Sequence, residues 1–198
     1  MNKKEIQRQR MRTYFINGAK EIIKEEGIKG LTVRKVGERA GYSYATIYNY
    51  FSDLNTLLAY CMLDFLEDCY HYMLNFKIET EDSKNQLIAY ELAYFRYFAE
   101  NPDMFQIIFI EELGKPPKEL MKENTLPSVG LLLRESLIKC AQEGYIAEEK
   151  IELLGELITA SLHGKLLLFI KGRDGSNLEN MISLIEKEMA FLLSQAGG

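Results

Sequence analysis

LTVRKVGERAGYSYATIYNYF, Leu31 to Phe51, decides how the rest of the chain is read. It divides at Gly41 into two short helical segments. Thr32 stands where its hydroxyl can accept a bond from an amide of the first turn. Val33, Val36 and Ala40 then fall on one face, at spacings of three and four. Gly41 suits the left-handed backbone that ends many helices. Ser43 stands as the cap of the second segment, with Ile47 and Phe51 on its inner side. The outer side carries Tyr44, Thr46, Tyr48, Asn49 and Tyr50, none of them charged. A solvated helix face ordinarily carries Glu and Lys. Hydroxyls and aromatics suit a face that enters a nucleic-acid groove, presses on bases and donates to phosphates. A plain helical hairpin in an all-α core has the same turn, and pattern alone leaves it open.

The charge distribution sharpens this. The whole 198-residue chain has a net charge of -5. Its first fifty residues hold eleven Lys and Arg against five acids, a net +6, and the remainder is -11. A basic end on an acidic body fits an anionic partner at that end. Residues 3–26 read as a helix with an inner stripe of Tyr14, Phe15, Ala19, Ile22 and Ile23, ended by Gly27. Its polar start, Lys3, Lys4, Arg8, Arg10 and Arg12, is placed to lie along a phosphate strand.

VGERAGYSYATIYNYF resembles the DNA-binding motif of the TetR/AcrR family of transcriptional regulators. The matching residues are Ala40-Gly41, Ser43, Tyr44, Ala45, Thr46, Ile47, Tyr48 and Tyr50-Phe51. One position departs: the family's phosphate-contacting Lys near the start of the next helix is Leu54 here. The resemblance implies a dimeric, ligand-responsive repressor that binds operator DNA. Tyr42, Tyr44, Ala45 and Asn49 are then expected at base edges, since Asn can pair adenine with two bonds. Thr32, Thr46, Tyr48 and Tyr50 are expected at phosphates, and Arg34 at either. Two copies would read successive major grooves of a palindrome. An activator, or a DNA-binding protein without ligand control, has the same sequence features.

Beyond the motif the expectation is helical throughout. A long helix runs from about Asp53 to Phe76, carrying Leu57, Leu58, Cys61, Met62, Phe65 and Leu66. A turn at 79–83 precedes a helix over about 82–100, aromatic at Tyr90, Tyr94, Phe95, Tyr97 and Phe98. Asn101-Pro102-Asp103 reads as a helix start, with Asn as cap. Gly114-Lys115-Pro116-Pro117 is a loop. Helix resumes near Leu120, is interrupted at Pro127 and is closed by Gly144. The expected fold class is thus all-α with about nine helices. An N-terminal three-helix helix-turn-helix DNA-binding domain covers 1–52, and a larger helical ligand-binding and dimerisation domain covers 53–198.

The last two helices, about 148–171 and the one opened by the capping box Ser176-x-x-Glu179 after the Asp174-Gly175 turn, are apolar on more than one face. Two copies of such a pair suit a four-helix bundle about a two-fold axis. Leu154, Leu157, Ile158, Ser161, Leu168, Met181, Ile185 and Met189 are the expected interface. Burial of both helices within one chain is the alternative. The aromatic middle suits an apolar effector pocket. Phe65, Tyr94, Phe98, Phe105, Phe109 and His163 are its expected lining, although such stripes are also ordinary core. The step Ser161-Leu162-His163-Gly164 resembles a His-Gly element of some family members. No cationic cluster stands out, which favours a neutral or weakly polar ligand over an anionic one. The acids and aromatics leave a cationic ligand open.

Cys61, Cys69 and Cys140 are odd in number and form no C-x-x-C, so neither a disulfide framework nor a metal site is expected. There is no Gly-rich phosphate loop and no Ser–His–acid spacing, so neither an enzyme nor a cofactor is expected. The polar N-terminus shows no signal peptide, and the apolar run Leu157–Ile170 is short for a bilayer. The expected location is cytoplasmic.

Overall fold

Apolar residues at helical spacing become helices almost everywhere in the computed structural model. It describes residues 2–76, 80, 82–111, 127–173 and 175–197. Nine α-helices occur among the described residues, and no strand. They are α1 (Lys3–Glu26), α2 (Val33–Ala40), α3 (Tyr44–Ile47), α4 (Leu54–Asn75) and α5 (Ser83–Glu100). Then follow α6 (Pro102–Phe109), α7 (Ser128–Gln142), α8 (Ile151–Ile170) and α9 (Leu178–Ala196). The Gly114–Pro117 loop, the helical pattern before Pro127, Asp174 and parts of the 79–83 turn lie outside the described residues.

The chain forms two compact units, 2–65 with 103–111, and 66–102 with 127–197. The first therefore runs past residue 52, because one long helix and two short ones cannot close a core alone. Phe15, Ile22, Ile23, Val36, Ile47 and Phe51 are buried together with Leu57, Cys61 and Phe65 of α4 and Phe105 and Ile107 of α6. Phe15 meets Phe51 edge-on at 6.4 Å, and Phe51 meets Tyr60 at 5.5 Å. Lys20, almost wholly buried, pairs with Asp64 and lies 5.0 Å from the Phe65 ring. This bond joins α1 to α4. Tyr14 is exposed rather than part of the inner stripe, because it falls one position before Phe15 on the helix.

The second unit is built around α5, which packs against α7, α8 and α9. Surrounded on several sides, α5 buries Leu87, Ala93, Phe95, Tyr97 and Phe98. Two caps differ from expectation. The Asn101 side chain donates to the Tyr97 carbonyl at 2.7 Å, closing α5 instead of opening α6. The α9 cap is Asn177, which accepts from the Asn180 amide at 2.9 Å, one residue after the expected Ser176. Glu179 meanwhile bonds Arg96 of α5 at 3.0 Å. Lys150 and the Ala147 amide bind carbonyls at the end of α9.

α8 and the turn before it, Glu148–Ile170, are 23 residues long and apolar enough by length and composition to cross a membrane. The run Leu157–Ile170 alone understates that length. One face of this helix is inside: Leu154, Ile158, Leu162 and Leu166 are buried, and α5, α7 and α9 pack on it.

Several residues of the expected interface are buried within the chain itself. Leu154, Ile158, Met181, Ile185 and Met189 are spent on the chain's own core, since α8 and α9 must cover α5 before they can meet anything else. Ser161 is half-buried and donates to Glu188. Of the expected set, Leu157 and Leu168 stay exposed, beside Leu153 at 61%, Leu184 and Phe191 at 62%.

Candidate nucleic-acid interface

The motif folds as two helices about a glycine turn, and each local signal has a physical counterpart. Thr32 caps α2, its hydroxyl accepting from the Lys35 amide at 3.2 Å. Gly41 ends α2 in the left-handed region, at φ 76° and ψ 25°. Ser43 holds the cap position of α3 without capping it. Its hydroxyl pairs with the Thr46 hydroxyl at 2.9 Å, so two of the polar side chains hold each other. α3 itself is short; after Ile47 the chain continues through hydrogen-bonded turns to Phe51.

Ile47 and Phe51 are buried, which turns the opposite side outward. Tyr44 is 60% exposed and Tyr48 53%. Tyr42, Ser43, Ala45, Asn49, Thr32 and Arg34 are exposed too. Thr46 and Tyr50 are half-buried, and the Tyr50 ring leans on Phe15 at 5.6 Å. Tyr42 also touches Phe15, edge-on at 5.7 Å. The face is uncharged, and its aromatics are braced from beneath.

Three features here are not legible as sequence signals. Gly37 is buried, and a Cβ on it would meet the Tyr42 carbonyl oxygen and the Tyr44 amide nitrogen, both at 2.9 Å. Only a glycine lets α2 approach the turn this closely. Arg12, expected along a phosphate strand, is half-buried instead. It donates to the Tyr50 carbonyl at 3.4 Å and lies 5.0 Å from the Tyr60 ring, so it holds the end of the motif against α4. The basic surface is also partly neutralised. Arg39 bonds Glu25 and Glu21, Lys35 pairs with Glu26, and Arg34 pairs with Glu38 at 2.9 Å. Lys3, Lys4, Arg8 and Arg10 are exposed and make no ion pair among the described residues.

The expected effector residues divide between the units. Tyr94, Phe98 and His163 come together in the second: the Tyr94 hydroxyl lies 2.8 Å from His163 Nε2, and Tyr94 and Phe98 rings are 4.9 Å apart. Phe65, Phe105 and Phe109 belong to the first, where Phe105 and Phe109 rings are 5.1 Å apart. A separate cavity of about 180 Å³ opens between α7 and α8 beside Leu133, Arg134, Leu137 and Gly155. It touches none of the six.

An all-α chain with an exposed, uncharged helix-turn-helix on a cationic segment defines the class: a transcription-regulator fold. Residues 15–61 match the model of the bacterial regulatory proteins of the tetR family, so the helix-turn-helix segment is of the TetR type. No curated protein matches it. A protein of unknown function from Rhodococcus sp. RHA1 superposes with a TM-score of 0.76 at 15% identity, over 95% of this chain and 96% of that one. The fatty acid degradation regulator FadR from Bacillus halodurans superposes at 0.69 with 20% identity, over 90% and 93%. FadR from Bacillus subtilis, solved in complex with stearoyl-CoA, superposes at 0.70 with 21% identity, over 92% and 97%. At these identities the likeness is one of fold.

Proposed function

We propose that this chain is a transcriptional repressor that binds a palindromic operator as a homodimer and is released by a small, largely apolar ligand. One observation carries the DNA part: Tyr42, Tyr44, Ala45, Tyr48 and Asn49 face outward, uncharged, from the domain that holds the chain's basic excess. Asn49 reads an adenine edge, while Thr32, Thr46, Tyr48 and Tyr50 donate to phosphates on either side. Arg34 serves either role once it leaves Glu38. The second copy joins through Leu153, Leu157, Leu168 and Phe191, exposed apolar residues of α8 and α9. Two recognition segments about 34–36 Å apart then enter successive major grooves.

The ligand part is supported by the aromatic interior of the second unit and by the stearoyl-CoA complex of a protein with this fold. α4 carries residues of both units, so a ligand that favours one arrangement of its far half biases its near half. The chain works in the cytoplasm, where its DNA is. The test is a mobility-shift assay on the promoter region flanking its own gene. Salt-sensitive, palindrome-specific binding that Leu157→Glu with Phe191→Glu weakens is expected. Binding by a strict monomer, or none at all, refutes the proposal. A ligand that strengthens binding or raises transcription replaces repressor with activator.

A further inference from the structure

We propose that Glu91, Tyr94 and His163 form the polar end of a site, within the second unit, for a ligand carrying a protonated amine on an apolar body. This deepens the ligand-responsive reading and rests on it for its purpose, not for its chemistry.

Glu91 is only 4% exposed, in the middle of α5. Leu87, Tyr94, Phe95 and Phe98 lie on the same side of that helix, and all are buried. Among the described residues its carboxyl has neither a hydrogen bond nor an ion pair. The contrast with acids that do have a cation is informative. Glu188 of α9 has Lys165 and Ser161, and Asp64 of the first unit has Lys20. Among the described residues the deepest carboxyl has no cation. Burial alone pushes it up to about 8, so it is held protonated where an ordinary Glu would be ionised.

The groups near it are acceptors or neutral. From α4 comes Cys69, whose thiol is raised by burial first and by Glu91 next. On α5 itself is Tyr94, raised well above the phenol range by burial. From α8 comes His163, brought to the cluster by its contact with Tyr94 and lowered by burial. The Tyr94 hydroxyl and His163 Nε2 share a hydrogen bond of 2.8 Å, and whichever of the two donates, the phenol oxygen keeps a lone pair to accept. An ammonium group brings the three N–H donors and the positive charge that this cluster lacks. Tyr94 and Phe98 present ring faces and edges for the remainder of the ligand. A carboxylate head would meet Glu91 with like charge, and an alcohol would leave the charge of the site unchanged.

The exchange balances simply. Binding an ammonium ionises Glu91, so one proton leaves the protein for each ligand bound. Affinity therefore rises by about tenfold per pH unit as pH approaches 8 from below. The experiment is calorimetric titration of the full chain with decylammonium, decanol and decanoate, in buffers of different ionisation heat. Decylammonium is expected to bind at least about tenfold more tightly than decanol near pH 8, and to release about one proton near pH 6. Glu91→Gln is expected to abolish the proton release and the preference while retaining decanol. Decanoate or decanol binding as tightly as decylammonium overturns the proposal. So does decylammonium binding without proton release, or no binding of decylammonium at all. Proton release is read on the unaltered protein, so it does not depend on how the variant folds. No DNA is present in the titration. Failure to bind an operator would sink the regulator and spare this site, whereas operator binding with no response to the amine in the calorimeter would sink this site alone.

Discussion

Replacing Gly37 by alanine should loosen the joint between α2 and the segment that follows it. The added Cβ would sit 2.9 Å from the Tyr42 carbonyl oxygen, 2.9 Å from the Tyr44 amide nitrogen and 3.1 Å from Tyr44 Cα. Comfortable contact for such atoms starts at about 3.5 Å. All three are backbone atoms, so no rotamer change relieves the clash. Helix and turn must part by about half an ångström, which also strains the 2.9 Å bond from the Tyr42 amide to the Gly37 carbonyl. Overpacking of this kind costs about 1–3 kcal/mol, against which alanine regains about 1 kcal/mol of helix propensity. A net loss of up to about 2 kcal/mol lowers the Tm by up to about 8 °C in a chain of this length. The displaced segment carries Tyr44, Ala45 and Asn49, so operator affinity should fall by about tenfold even where the protein is fully folded. Gly41→Ala is the control. Gly41 has φ 76° but open space around it, so the variant incurs only about 1–2 kcal/mol of backbone strain and leaves the affinity of folded protein unchanged. Urea and thermal melts followed by circular dichroism, with titration of a fluorescent duplex, measure both. Equal behaviour of the two variants in both assays would refute the reasoning, as would a folded Gly37→Ala protein that binds the duplex as tightly as the parent.

Glu91 makes stability depend on pH with a definite sign. Its carboxyl ionises near 4.5 when unfolded and only near 8 when folded, so between those values the unfolded chain has already lost the proton that the folded chain keeps. The folded state should therefore lose about 1.4 kcal/mol per pH unit across that window, relative to Glu91→Gln. Melts near pH 8 should favour the variant and melts near pH 4.5 should not. Burial pushes the Cys61 thiol up to about 12, so alkylation by iodoacetamide at neutral pH should be slow in the native protein and fast in urea. Asn49→Ala should cost about 1–3 kcal/mol of operator affinity and relax the preference at one base pair, as a panel of mutated operators would register. Arg12→Ala should weaken binding without changing the salt slope, because its guanidinium rests on Tyr60 and Tyr50 rather than on a phosphate; a slope shallower by about one would contradict that role.

Where a signal acts within one turn of helix, the sequence carried it. Thr32 as cap, Gly41 in the left-handed region, Ile47 and Phe51 inward and Tyr44 and Asn49 outward all follow from neighbours a few residues away. Ser43 failed for a local reason too, since the hydroxyl of Thr46 competes for it. Longer-range facts left no such trace. Gly37 looks like any helical glycine until the Tyr42 carbonyl lies beside it. Arg12 looks solvated until α4 brings Tyr60 to it, 48 positions further along the chain. Glu91 sits in a stretch whose other charged residues face outward, and only the three helices packed on α5 make it a buried acid. The α8 and α9 stripes were read as meeting a second chain, but apolar residues on adjacent faces of one helix look alike in a sequence. Packing on α5 decides which are inside.

The internal ion pairs of the first unit set how any duplex would be held. Arg39, Lys35, Arg34 and Lys20 all face acids of their own domain, so the basic surplus rests mainly on Lys3, Lys4, Arg8 and Arg10 at the start of α1 and on Lys24 and Lys29. What projects outward is a thin cationic arm at the start of α1 and a neutral reading surface. Such a protein would let go of random sequence readily at cellular ionic strength and spend little time on the wrong site. Discrimination would then rest on how closely a handful of rings and hydroxyls match the groove.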